Sequence, residues 1–222
     1  MTYGLAHAIL MAQQQTSVKV ANKMKTRISD GNGKVGRIPN ISLTPGRTCS
    51  AEACRTCLTH GCYAMKSYRM YPSARRSWDA NTDLAINDLP TMERELTAYF
   101  GSMVAPRFFR LHVAGDFVSR EYAQMWARVA ASAPSTNFLA FTKQWDMIRG
   151  IDFPSNFSLV LSSWPGCDIP ADLRAKYSVA WLDDGTDSRI PADAMECPGN
   201  CETCGACWGL ARRGIDVRFA KH

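Results

Sequence analysis

The chain is predicted to fold as one α/β domain, a partial (βα) barrel or an open, mostly parallel sheet, with cysteine-rich loops near both ends. Three observations predict this. Short runs of aromatic and β-branched residues alternate with segments of helical period through the middle of the chain. Its 222 residues suffice for one domain with a full hydrophobic core. They hold about five strand–helix units, too few to close a barrel of the eight-stranded kind. Eight of the nine cysteines fall into two runs that bracket the alternating region. Residues 1–36 are read as an N-terminal extension, 37–190 as the βα core and 191–222 as a C-terminal cysteine-rich segment.

The elements are expected in this order. Residues 40–43 form the first strand, preceded by Pro39 and ended by the turn residues Thr44, Pro45 and Gly46. Helices are expected over 75–87 and 92–103, divided at Pro90. Residues 107–113, Arg-Phe-Phe-Arg-Leu-His-Val, make the strongest strand signal. Ser119 caps a helix over 120–133, with Tyr122, Met125, Trp126 and Val129 at i, i+3, i+4 and i+7 and Pro134 beyond its end. Strands are expected at 137–141, 157–162 and 178–182, with helices over 144–149 and 171–176 between them. A strand–helix–strand rhythm of this kind implies right-handed crossovers and a mostly parallel sheet.

The composition, 46% hydrophobic and 21% charged with no low-complexity tract, excludes a disordered or fibrous chain. The net charge of +6 favours anionic partners without requiring them, and no basic run reaches five residues. The first dozen residues lack a basic n-region and run into Gln13, Gln14 and Gln15, so no export signal is read. No stretch reaches the length of a membrane span, and a cytoplasmic protein is expected. In a reducing compartment an odd number of cysteines points to metal or redox chemistry rather than a disulfide framework.

The first run is Cys49, Cys54, Cys57 and Cys62, with spacings of four, two and four residues, on a loop after the first strand. The second is Cys197, Cys201, Cys204 and Cys207, with spacings of three, two and two and with Pro198, Gly199 and Gly205 supplying turns. Thiolates are soft ligands that suit iron–sulfur clusters and zinc. Zinc sites usually use two separated Cys-x2-Cys pairs, whereas the compressed second run is closer to cubane-cluster loops. One or two [4Fe-4S] clusters are therefore expected, with zinc the alternative metal. Cys167 stands alone and is read as a buried thiol.

Ligand-binding residues are expected where strands end, because parallel sheets bind at that edge. Gly115 would admit close backbone approach, and Asp116 would hydrogen-bond a ligand or cap a turn. His112 reads as a core histidine with cluster ligation secondary, and Lys143 as a cation for a carboxylate, phosphate or cluster. No Gly-x-Ser-x-Gly or P-loop occurs, and no Gly-x-Gly-x-x-Gly follows a strand, which leaves no case for a serine hydrolase or a P-loop protein.

A strand, a cysteine loop ending in Cys62-Tyr63-Ala64, a helix, and a strand ending in Ala114-Gly115-Asp116 together resemble a radical S-adenosylmethionine (SAM) enzyme. That resemblance implies a radical-SAM-like partial barrel, a [4Fe-4S] cluster on the first loop, and SAM beside Asp116 and Lys143. Two features differ here: the spacing Cys-x3-Cys-x2-Cys lies near the carboxyl end, and Ala-Gly-Asp stands where Gly-Gly-Glu is usual. The chain is more closely similar to phage-encoded proteins of the gene-product-eighty-eight type. The likeness rests on Cys62-Tyr63-Ala64, His112 to Phe117, Phe141-Thr142-Lys143 and Cys207-Trp208, and it spans residues 40 to 210. Cysteine runs and likeness together imply an iron–sulfur protein with a structural, redox or sensing role, placed in the host cytoplasm if phage-encoded. The alternatives are a radical SAM enzyme and a zinc-stapled module. Nucleic acid or a host protein is the partner such a non-catalytic chain would take, and no membrane is expected.

Overall fold

The computed structural model describes residues 24–51, 57, 61–210 and 214–220, so Cys54 lies outside the described residues. Seven strands form one sheet: β1 (Asn40–Ile41), β2 (Phe108–Leu111), β3 (Asn137–Thr142), β4 (Phe157–Ser163), β5 (Val179–Asp183), β6 (Met195–Glu196) and β7 (Val217–Ala220). All neighbouring pairs are parallel, and the spatial order is β1-β2-β3-β4-β5-β7-β6. The sheet is therefore open, and its first five strands stand in sequence order.

Both faces of the sheet are covered, which is why its central strands are apolar nearly throughout. One face packs against α2 (Pro72–Asn87), α3 (Leu89–Phe100) and α4 (Arg120–Ala131), with Phe109, Phe138 and Leu159 meeting Leu96, Phe100 and Trp126 in the main core. The side chains between them point the other way: Leu139, Val160, Ala180 and Val217 form a second cluster with Trp208 and Leu210 of the C-terminal segment. That segment holds α7 (Cys201–Cys204) and a 3-10 turn over Ala206–Gly209. Trp208 fixes it to the sheet, its ring 5.2 Å from Phe108 and its Nε1 donating to the Phe109 carbonyl at 3.1 Å. The cysteine-rich end of the chain thus serves as the cover of one sheet face.

Where the elements differ from expectation, the reasons are local. The strand expected at 40–43 pairs only over Asn40–Ile41, because Leu43 turns to donate to the Ala114 carbonyl beyond the ladder. The helix expected from 75 starts at Pro72, an N1 proline whose missing N–H costs nothing there. The two helices expected to part at Pro90 part at Asp88, whose side chain accepts from Thr91 N, and the second runs over Leu89–Phe100 with Pro90 in its first turn. The helices expected over 144–149 and 171–176 shorten to α5 (Trp145–Ile148) and α6 (Ala171–Arg174). Helix α1 (Tyr63–Met70) and strands β6 and β7 add to the expected set. Among the described residues no helix is long and apolar enough to cross a membrane.

Candidate functional site

Residues at or beyond the ends of β2 to β5 and β7, with Cys49, Cys57, Gly61 and Cys62, line a cavity of about 260 Å3. Short polar side chains behind it brace the start of the first cysteine run. Thr44 N donates to Thr82 Oγ1 at 2.8 Å and Thr44 Oγ1 to Asp79 Oδ1 at 2.6 Å, which ties the start of the loop to α2. Thr48 Oγ1 accepts from Asp116 N at 3.1 Å, and the Thr48 carbonyl accepts from Gln144 Nε2 at 2.9 Å. Cys49 therefore leaves a point braced by α2 and by the ends of β2 and β3. Cys62 sits at the N-cap of α1, and the next residue, Tyr63, bonds through its hydroxyl to the Val113 carbonyl. Cys49, Cys57 and Cys62 all line the cavity.

The residues expected at the strand ends line the same cavity, each by a different means. Gly115 has φ 77, and a Cβ there would lie 2.8 Å from the Leu43 carbonyl and 2.7 Å from Thr48 Oγ1. The close approach it permits is to the chain's own first loop. Asp116 is 6% exposed: its Oδ1 accepts from Phe117 N at 2.8 Å and Thr142 Oγ1 at 2.6 Å, and its Oδ2 from Lys143 N at 2.8 Å. Burial pushes its carboxyl above the usual range, against the pull of those hydrogen bonds. Asp116 thus clamps the end of β2 to the end of β3. His112 comes directly after β2 at φ 56, with its ring between Phe117 and Tyr122 and its Nε2 3.2 Å from the Tyr122 hydroxyl. Its Nδ1 is buried with no partner. Lys143 places Nζ 4.8 Å from the centre of the Trp164 ring.

A second cavity of about 700 Å3 adjoins the first, and Cys197, Cys201 and Cys207 line it. Cys204 is exposed. The second run is held from both sides. Cys197 N donates to the Arg218 carbonyl at 2.9 Å and Cys201 N to the Lys34 carbonyl at 3.2 Å. Glu202 accepts from Arg37 N at 3.2 Å and Arg37 Nε at 2.9 Å, over Gly36, whose missing side chain makes the room.

Between the two cavities stands Arg110 of β2, which lines both. Its guanidinium lies 4.6 Å from the centre of the Phe141 ring, its Nη1 is 3.9 Å from Cys201 Sγ, and its Nε is buried without a partner. Sequence reasoning assigned it no role. The signal was present: a cation between Phe109 and Leu111 on a strand that must be buried on both faces.

Burial pushes the Cys49 thiol up to about 11 and the Cys207 thiol up to about 12, the latter against the pull of Arg110. Cys201 is raised by burial against the same pull. Thiols held protonated are poor nucleophiles, which counts against Cys49, Cys201 and Cys207 in that role. A soft cation bound among them would displace those protons. Among the described residues no three His, Cys, Asp or Glu side chains converge as a metal site.

Over residues 14–210 the chain matches the family model described as Gene product 88. It is similar to the Gene 88 protein of Mycobacterium phage L5, 27% identical over 205 residues that cover 80% of this chain and 85% of the phage protein. It is also similar to the Gene 88 protein of Mycobacterium phage D29, 28% identical over 165 residues, 69% of each chain. No solved structure matches at a significant level.

Proposed function

The chain belongs to the gene product 88 family, and we propose that it is an iron–sulfur protein, with a redox, sensing or structural role in the host cytoplasm. Cys49, Cys57 and Cys62 with Cys54 would hold one [4Fe-4S] cluster, and Cys197, Cys201 and Cys207 with Cys204 a second. The observation that carries this reading is that two cysteine runs far apart in sequence line adjoining cavities with Arg110 as their common wall. An all-thiol donor set fits a soft metal. A guanidinium 3.9 Å from Cys201 Sγ with no acidic partner among the described residues fits a site that carries negative charge when loaded. A bound cluster would supply one-electron chemistry; the protein's own part is to hold thiols against the sheet and to exclude water with Phe141, Trp208 and Phe219.

The second reading, a radical SAM enzyme, is favoured by the position of the first run at the strand-end edge beside Gly115 and Lys143. Two features weigh against it. The Asp116 oxygens are engaged by Phe117, Thr142 and Lys143, and the cavity is lined by Lys34, Arg110 and Lys143, a poor setting for a sulfonium cation.

Anaerobic purification with iron, sulfide and zinc analysis, then EPR of the reduced protein with and without SAM, separates these readings. About four irons per chain are expected for one cluster and about eight for two. Cys62→Ser and Cys207→Ser should each remove iron from one run only. A SAM-dependent change in the spectrum would replace the first reading by the second. Stoichiometric zinc without iron would remove both and leave a zinc-stapled module for nucleic acid or a host protein.

A further inference from the structure

We propose that the cavity at the strand ends binds a small organic anion, an apolar body bearing a phosphate or carboxylate head. Such a site needs no iron. Three cations converge on one cavity, each laid over an aromatic ring. Lys34 Nζ stands 5.6 Å from the centre of the Phe219 ring, the Arg110 guanidinium 4.6 Å from Phe141, and Lys143 Nζ 4.8 Å from Trp164. All six residues line the cavity.

Some cations elsewhere find carboxylates, as Arg174 finds Asp216 and Arg128 finds Glu93, and others, such as Arg107 and Arg120, have none among the described residues. Lys34, Arg110 and Lys143 have no ion-pair partner among the described residues. The one acidic residue on the described cavity wall, Asp116, has its oxygens turned to Phe117 N, Thr142 Oγ1 and Lys143 N. Arg110 Nε is buried with no hydrogen-bond partner among the described residues. Gathering positive charge in a partly desolvated space is costly unless an anion arrives to neutralise it.

Pro45, Ala114, Trp181 and Leu182 add apolar wall to the three rings, beside the thiols of Cys49, Cys57 and Cys62 and the polar Tyr63, His112 and Ser162. A few convergent charged donors in an otherwise apolar concavity are the usual make-up of a small-ligand site. The volume, about 260 Å3, sets the ligand at the small end of that class. Location agrees with chemistry, because ligands of open parallel sheets lie beyond the carboxyl ends of the strands.

The test uses four probes of one shape and different charge: phenyl phosphate, benzoate, benzyl alcohol and benzylamine. Each is titrated into the full chain, iron-loaded and iron-free, by calorimetry and by quenching of tryptophan fluorescence, with metal content measured on the same samples. Both anions are expected to bind, benzyl alcohol far more weakly, and benzylamine not at all. The tighter of the two anions identifies the head group. Lys143→Ala should weaken anion binding ~10-fold and leave benzyl alcohol unchanged, while Lys143→Arg keeps most of the affinity. Lys34→Ala, in an exposed turn, gives the same test with little risk to folding. Benzylamine binding as tightly as benzoate, or unchanged affinity in both alanine variants, would overturn the site. So would anion binding that vanishes on iron loading, since the cations would then serve the cluster. Iron-free protein that binds the anions leaves this site standing even where the cluster reading fails.

Discussion

His112 is held by two constraints that make it sensitive to acid. Its backbone is in the left-handed region, which histidine adopts more readily than most residues, and its ring is buried against Phe117 and Tyr122. Burial, helped by nearby Arg110, lowers its pKa from 6.5 to about 3. The unfolded chain therefore binds one more proton than the folded one between those values. Stability contributed by neutral His112 is intact above pH 6.5 and falls as pH drops toward 3, by ~1.4 kcal/mol per unit. Urea unfolding at stepped pH should show this slope, and His112→Asn, which tolerates the same backbone, should flatten it. The histidine was legible as a core residue but not as the residue that turns the chain out of β2. No pattern of hydrophobicity encodes a sign of φ. Asp116 was legible both as a ligand residue and as a turn residue. Only the positions of Thr142 and Lys143, brought beside it by the parallel pairing of β2 with β3, show where its oxygens point.

At the scale of elements, α4 is the clearest case of a helix written in its own sequence. Ser119 accepts from Tyr122 N at 3.1 Å, and the stripe Tyr122, Met125, Trp126 and Val129 is buried as its spacing requires. Ser119→Ala should cost ~1 kcal/mol in chemical denaturation, with the fold retained. Helix α1 is the opposite case. Of its eight residues only Ala64 is buried, so no apolar stripe marks it. It is held instead by the Tyr63 hydroxyl on Val113 and by Tyr68 on Asp79, contacts made across the fold. Strand β7 carried a readable signal, Val217 and Phe219 alternating with Arg218, but only four residues of it. A strand that short is specified by the neighbours it finds, here β5 on one side and β6 on the other.

For the molecule as a whole, the alternation of strand and helix was enough to expect a parallel sheet, because crossover connections leave few other arrangements. It did not show that the second face would be closed by the cysteine-rich segment. That closure depends on the long-range seating of Trp208, which is 4% exposed beneath the run it anchors. Trp208→Ala should destabilise the protein by ~3–5 kcal/mol. It should also raise the rate at which Cys201 and Cys207 are alkylated, read by mass spectrometry, while Cys49 changes little. The same arrangement hid the place of Arg110: a cation on a buried strand can be read from the sequence, but its position lining two cavities exists only once the C-terminal segment packs on the sheet.

The interleaving of the last strands bears on the order of events during synthesis. Among the described residues Met195–Glu196 pairs with Val217–Ala220 alone, which in turn lies beside Val179–Asp183. The four cysteines of the second run are translated between β6 and β7, when the strands that seat Trp208 are already made and the last strand is still missing. The cover of the second sheet face is therefore tied down at both ends only when the final strand pairs, and it closes after the first loop has settled on the early strands.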